Sequence, residues 1–338
     1  MKKKMFVLAA AALAALLLGM GTGSVHVPVG DILSILANRL FDAPLPEGLP
    51  AGYCAMVLDM RLPRVLLAFL TGAALAMGGA VTQSVLRNPL ASPFGLGVSA
   101  GAGLGAACVI VLGLAGAGLG VFLLPAVSLS CALATVFLAV FIAARLDRGM
   151  SNTTIILVGF VLSLFCSAVM DLMAARSPAY AQRIQLWQLG SFSMKEWSAV
   201  WVLAPFTALG LLLFLGFARE LDVMTFGEEQ AMAMGVDLHR TKRLLLAAVA
   251  VLTGAAVAFV GIIGFVDLIA PHIVRKWFGA AHRWVLPASA LFGGTLLVLC
   301  DLAARTLAAP HEIPIGSITA LLGAPFFLYV FFVGRKGR

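Results

Sequence analysis

Charge is what this sequence has least of. Asp, Glu, Lys and Arg make up 11% of its 338 residues, against 62% hydrophobic, where soluble domains carry about a quarter charged residues. That scarcity excludes a soluble globular fold, and the apolar runs leave no room for a separate soluble domain. Cysteine chemistry is equally thin. Cys54, Cys108, Cys131, Cys166 and Cys300 are scattered, with no C-x-x-C pair and no histidines at ligand spacing, so neither a disulfide framework nor a zinc site is expected. They read as small apolar packing residues. No G-x-x-x-x-G-K-[ST] is present, so the chain is not expected to bind ATP itself. No catalytic residue, cofactor or metal is expected. The net charge of +8 reads as basic residues at helix ends, not as a nucleic-acid surface.

What is there is long apolar sequence. A bilayer core about 30 Å thick takes about 20 apolar residues per helix. The chain is therefore expected to be an all-α polytopic membrane protein, one transmembrane domain over 1–338 with about ten spans. These are expected near 5–23, 62–83, 93–113, 119–143, 153–173, 197–217, 243–260, 262–278, 284–304 and 314–333. The eighth is short, carries Asp267 and Pro271, and is expected to be tilted or broken. MKKKMFVLAAAALAALLLGMGTGSV has a basic start and an apolar run, but no A-x-A-like site follows the run; it reads as an uncleaved first span. With the N-terminus inside, 16 of the 23 Lys and Arg fall on inner segments and 7 on outer ones, so both termini are expected in the cytoplasm.

RNPLASPFGLGVSAGAGLGA (87–106) breaks the apolar pattern at the inner mouth with an arginine, an asparagine and two prolines. Irregular backbone at membrane depth is tolerated only where it is buried in protein or lines a cavity. Gly97, Gly101 and Gly105, and Gly72, Ala76 and Ala80, recur every four residues, a spacing that lets helices approach closely in lipid. His272 reads as a packing residue. Asp171, Asp267 and Asp301 form no acidic series along one helix, so no proton relay is expected.

The inner segment 218–243, ARELDVMTFGEEQAMAMGVDLHRTKR, is the most charged part of the chain. Thr225-x-x-Glu228 fits a capping box, and Gly235 fits a helix end. Two short helices exposing Met232, Met234, Val236 and Leu238 are expected, a surface suited to a docking partner.

RLPRVLLAFLTGAALAMGGAVTQSVLRNPLASPFGLGVSAGAGLGA (61–106), FVGIIGFVDLIAPHIVR (259–275) and EIPIGSITALLGAPFFLYV (312–330) resemble permease subunits of type II ABC importers, the FecCD/BtuC-like family that takes up iron(III)-siderophores, haem and cobalamin. The resemblance covers nearly the whole chain. It implies ten helices per subunit, a second permease copy in a homodimer, two copies of a cytoplasmic ATP-binding subunit, a periplasmic or lipoprotein substrate-binding protein, surrounding membrane lipid and no nucleic acid, in the bacterial inner membrane. Arg61, Arg64 and Arg305 match rim arginines that dock the binding protein, with Arg61 and Arg64 expected to face water. Asn88 and Leu90, with Asn152 and Thr153, match the cytoplasmic gate, although Asn152 stands where the family has a hydroxyl. Segment 226–240 matches the coupling helices. Gly227, Glu228, Ala231, Met234, Gly235 and Val236 are its contacts, and Ala231 and Ala233 are expected to form a small surface that seats in an ATPase cleft. The competing reading, an ion-coupled secondary transporter, requires paired charges near the midplane and inverted half-chain repeats, and neither is present.

Overall fold

A computed structural model describes residues 1–23, 25–50, 52–114, 120–147 and 151–336, with side chains to residue 329. Residue 119 of the fourth expected span, and Arg148 and Arg338 of the inner charge count, lie outside the described residues, as do the side chains of Arg335 and Lys336.

Among the described residues the chain is helical throughout. In order come α1 (Lys2–Gly21), α2 (Val29–Phe41) and α3 (Tyr53–Ala55), which runs through a π-helical turn (Met56–Arg61) into α4 (Leu62–Val85). A 3₁₀ turn (Pro93–Leu96) precedes α5 (Val98–Val111), followed by α6 (Leu123–Leu146), α7 (Asn152–Ala174), α8 (Pro178–Gln188) and α9 (Trp197–Gly216). The rest are α10 (Ala218–Met224), α11 (Glu228–Ala233), α12 (Leu238–Val260), α13 (Val266–Phe278), α14 (His282–Thr306) and α15 (Ile315–Lys336).

Each expected span contains one helix. Among the described residues seven helices are long and apolar enough to cross a membrane: α1, the continuous helix Tyr53–Val85, α6, α7, α9, α12 and α14. The helices at the third and tenth expected spans have shorter apolar stretches, and α13 at the eighth is 13 residues long and carries Asp267, Arg275 and Lys276. The third is short because α5 starts at Val98, after the break. Ser92 Oγ accepts from the Phe94 amide to open the 3₁₀ turn at Pro93. The eighth is broken as expected: residues 261–265 are not helical, and α13 starts only at Val266. Besides the short α3, α10 and α11, the 13-residue α2 and the 11-residue α8 lie outside the expected spans.

The core forms around α4, which packs against α14, α12, α13 and α9 and is buried on nearly every side. Small residues make this possible. A Cβ on Gly72 would lie 2.7 Å from the carbonyl carbon of Gly293 on α14, and one on Gly105 would lie 2.7 Å from the Val127 carbonyl of α6. The two stripes therefore do what four-residue spacing predicts, bringing backbones into contact. By contrast α6, α7 and α9 leave most of their apolar surface uncovered, as membrane-facing helices do. We call the end holding the N-terminus inner and the opposite end outer, following the charge count.

Candidate functional site

At the outer end the three predicted arginines converge, but not as free cations. Arg61, in the π-helical turn, donates from Nη1 to the carbonyls of Met20 (2.7 Å) and Gly21 (3.3 Å) and from Nη2 to that of Val25. It thereby satisfies acceptors that the end of α1 leaves open, and it is 7% exposed. This corrects the expectation that Arg61 faces water. Arg64 forks between Asp301 (Nη2 to Oδ1, 2.9 Å) and Glu312 (Nη1 to Oε1, 2.7 Å). Its side chain is also mostly buried. Arg305 donates to the Gly19 carbonyl and lies 3.7 Å from Asp301. A guanidinium suits this position because its planar fork meets two acceptors at once. Hydrogen bonding to Arg64 holds the Glu312 carboxyl below its ordinary pKa, against the opposing effect of burial.

At the inner end the N-P-L segment follows α4 directly. Asn88 accepts at Oδ1 from the Leu90 amide (2.9 Å), a local turn that fixes the loop. Leu90 projects outward, 47% exposed. Asn152, the first residue of α7, donates from Nδ2 to the Leu86 carbonyl (3.0 Å). The structure thus joins three of the four predicted gate residues around the end of α4. Thr153 is exposed beside them. The break 86–97 also meets the start of α13, since Ser92 Oγ donates to the buried Asp267 carboxylate.

Segment 218–243 forms the short helix expected before Gly235, but the second short helix expected after that glycine is the start of α12, and the other short helix, α10, precedes Thr225. Thr225 does not cap α11. It closes α10, its hydroxyl donating to the Asp222 carbonyl (2.6 Å), while Gly227 at φ +142° stands at the start of α11. The capping-box reading fails because the chain must turn sharply between α10 and α11, which glycine permits and threonine does not. Gly235, at φ +86°, ends α11 as expected. Its amide donates to the Met232 carbonyl (2.9 Å) and that of Val236 to the Ala231 carbonyl (3.0 Å), the two-bond arrangement of a Schellman cap.

The outward surface differs from the expected one. Phe226, Met232 and Met234 are exposed, Met234 by 66%, and Ala233 and Gly235 lie beside them. Ala231 and Leu238 are buried and Val236 half-buried, so Ala231 supports the helix from behind and only Ala233 is on the surface. The cause is amphipathic: α11 must bury one face against the chain.

Two polar connections escaped sequence reasoning. Asp222 of α10 accepts from the His282 amide (2.8 Å) and lies 2.6 Å from His282 Nδ1, while His282 Nε2 is 2.6 Å from Ser84 Oγ. Arg275 donates to the same hydroxyl (3.1 Å), to the Ala80 carbonyl (2.9 Å) and to Gln83. This resembles the order of a nucleophile, base and carboxylate, but Ser84 and His282 are buried, which removes them from any substrate. The second connection joins Lys242 to Glu228 and Asn152.

The FecCD transport family matches residues 11–332. The chain is 41% identical over 95% of its length to the uncharacterized ABC transporter permease protein YvrB of Bacillus subtilis, covering 91% of that protein. It is 40% identical over 92% of its length to the cobalamin import system permease protein BtuC of Halobacterium salinarum, covering 82% of it. Its fold matches a solved inward-facing conformation of a metal-chelate type ABC transporter at a TM-score of 0.86 and 29% identity, covering 98% of this chain and 99% of that one. With this helix order, these packed small-residue stripes and these relatives, the chain belongs to the FecCD transport family and is a permease of the metal-chelate type of ABC importer.

Proposed function

We propose that the chain is the membrane subunit through which an ATP-driven importer passes a metal chelate from a binding protein to the cytoplasm. It works as a ten-span homodimer with two copies of a separate ATPase, in the bacterial inner membrane with both termini inside. One observation carries the reading: α10 and α11 form a capped element outside the spans, exposing Phe226, Met232 and Met234 together. Exposed large apolar side chains grouped on a charged segment mark a docking surface. Iron(III)-siderophore is the first cargo to test, with haem and cobalamin next. Relatives named for Fe(3+)-citrate and iron(3+)-hydroxamate import are 37% and 35% identical, alongside the cobalamin permease and the hemin transport permease of Yersinia pestis.

The binding protein docks at the outer arginines. Because Arg64 is already paired with Glu312, a docking carboxylate replaces Glu312 there, while Arg61 and Arg305 hold the rim in place. At the inner end Asn88 and Leu90, with Asn152 and Thr153, close the pathway. The ATPase seats on Met234, Ala233 and Gly235, flanked by Val236 and supported through Gly227, Glu228 and Ala231.

The test is Met232→Asp with Met234→Asp, purified with the partner ATPase and assayed for uptake in vesicles. Both side chains are exposed, so the permease inserts normally. Expected are loss of ATPase co-purification and loss of ATP-dependent uptake, because a charge at an apolar contact is left unpaired. Full retention of both removes this docking surface.

A further inference from the structure

A buried ammonium is costly unless opposite charge and hydrogen-bond acceptors surround it. Lys242 lies one turn into α12 with its side chain 2% exposed. Its Nζ donates to Glu228 Oε1 (2.7 Å) and to Asn152 Oδ1 (2.9 Å). The same Asn152 amide donates from Nδ2 to the Leu86 carbonyl (3.0 Å). Glu228 is the first residue of α11, and Leu86 is the first residue after α4, two before Asn88. One cation therefore joins the exposed short helix, the start of α7 and the backbone entering the inner mouth.

From this arrangement we infer that Lys242 is the positioning residue that passes displacement of α11 to the inner mouth, through Glu228 on one side and Asn152 and Leu86 on the other. Three features favour a link over a simple anchor. The connection passes through both ends of the Asn152 amide, Oδ1 to Lys242 and Nδ2 to Leu86, so tilting the amide moves the Leu86 backbone. Its bonds to Lys242 are charge-assisted, hence strong and directional. The Glu228 side chain is 32% exposed, so it sits at the edge where a partner on α11 bears down, whereas Lys242 lies beneath it. The position also departs from the hydroxyl expected at residue 152. Asparagine offers an acceptor to Lys242 and a donor to Leu86 at once, in a planar group that a single hydroxyl cannot reproduce.

The inference rests on α11 being the ATPase contact, so the experiment reads docking and transmission separately. The full permease is reconstituted with its ATPase, with native cysteines replaced and a fluorescent label at Arg87→Cys, an exposed site beside the mouth. Four quantities are measured: ATPase co-purification, ATP hydrolysis, uptake, and the nucleotide-dependent change in label signal. In Lys242→Met, Glu228 turns to water. Co-purification and hydrolysis are then expected to stay within about twofold, while uptake and the label response fall about tenfold, within the usual range of coupling between sites. Lys242→Arg keeps charge and donors and is expected to restore most of both.

Full uptake and label response in Lys242→Met overturns the inference. So does loss of docking in step with transport, because Lys242 would then serve only to hold α11. If unsubstituted permease binds no ATPase, the docking reading itself falls, and this inference with it. Where Lys242→Met does not insert, Asn152→Ala keeps the Lys242–Glu228 pair and is expected to show the same separation of hydrolysis from uptake; unchanged uptake there also overturns the link.

Discussion

The two ends of the bundle use similar polar residues in opposite ways. At the outer end the carboxylate at the centre is buried: Asp301 is 2% exposed, and Arg64 and Arg305 close around it. Arg61 and Arg305 add bonds to carbonyls at the end of α1. At the inner end the buried partners are Lys242 and His282, while the acids that reach them, Glu228 and Asp222, are partly exposed on short surface helices. Both polar chains start at a partly exposed acid. The outer one ends on a buried carboxylate ringed by Arg64 and Arg305, the second of which also holds the end of α1. The inner ones end on a buried cation or imidazole reached from short surface helices. The kind of group at the buried end therefore separates a clamp from a connection, even where composition is alike.

That contrast breaks most severely at Asp301. Asp301→Ala leaves Arg64 and Arg305 facing each other in a buried site, and removing one partner of a buried pair costs about 3–5 kcal/mol. Expected is a large fall in the thermal midpoint of the detergent-solubilised protein, with uptake falling only as folded protein is lost. Normal stability with lost uptake would make the outer cluster a working surface and not a clamp.

A smaller effect is expected from Asp222→Leu at the inner end, which leaves the His282 amide and ring without their acceptor, about 1–3 kcal/mol. Here the stability loss is confined to α10 and α11. Hydrogen exchange should rise in residues 218–235 while α4 and α14 keep their protection. A uniform rise across the bundle would show that this connection clamps too.

The smallest effect concerns Glu312, which sharpens the comparison by testing the one outer acid that is partly exposed. Its folded pKa lies below the ordinary value because Arg64 hydrogen-bonds to it. Its contribution is therefore present above the unfolded pKa of about 4.3 and is lost as pH falls through the lower folded value. Exposure and screening keep it below about 1 kcal/mol. The midpoint difference between unsubstituted protein and Glu312→Gln should be small near about pH 7 and fade as pH drops through the lowered folded pKa. A difference that does not change with pH would mean that the pair with Arg64 is not ionic.

Most of the helix order was legible because hydropathy is a local property, and every expected span contains a helix. The break at 261–265 was legible from the short run with Asp267 and Pro271. The small-residue stripes were legible because backbone contact follows from residue size at fixed spacing. What could not be read depended on partners far along the chain. Arg61 looks the same in sequence whether it meets water or the carbonyl of Met20, 41 residues away. Arg64 meets Asp301 across 237 positions. Ala231 reads as surface until the packing of α11 is known. The signal for Lys242 was present but unused: a lysine one turn inside an apolar helix needs a buried acceptor, and Asn152 had already stood out. The α2 helix repeats Ile32, Ile35 and Leu36 at helical spacing, but a search for long apolar runs passes over it.

The contact of Gly72 with Gly293 has a mechanical consequence. Where Gly72 meets Gly293 the two backbones touch, and with Leu297 and Ala76 packed against these glycines α4 and α14 cannot slide by a turn without lifting apart. The pair behaves as one stiff beam from the outer clamp to the inner mouth. Motion in a close-packed bundle bends where helical hydrogen bonding is interrupted, and beside this beam the interruptions are residues 86–97 and 261–265, the first fastened to the start of α13 where Ser92 meets Asp267. On the proposed gating role, opening of the inner mouth would hinge at these two interruptions against α4 and α14.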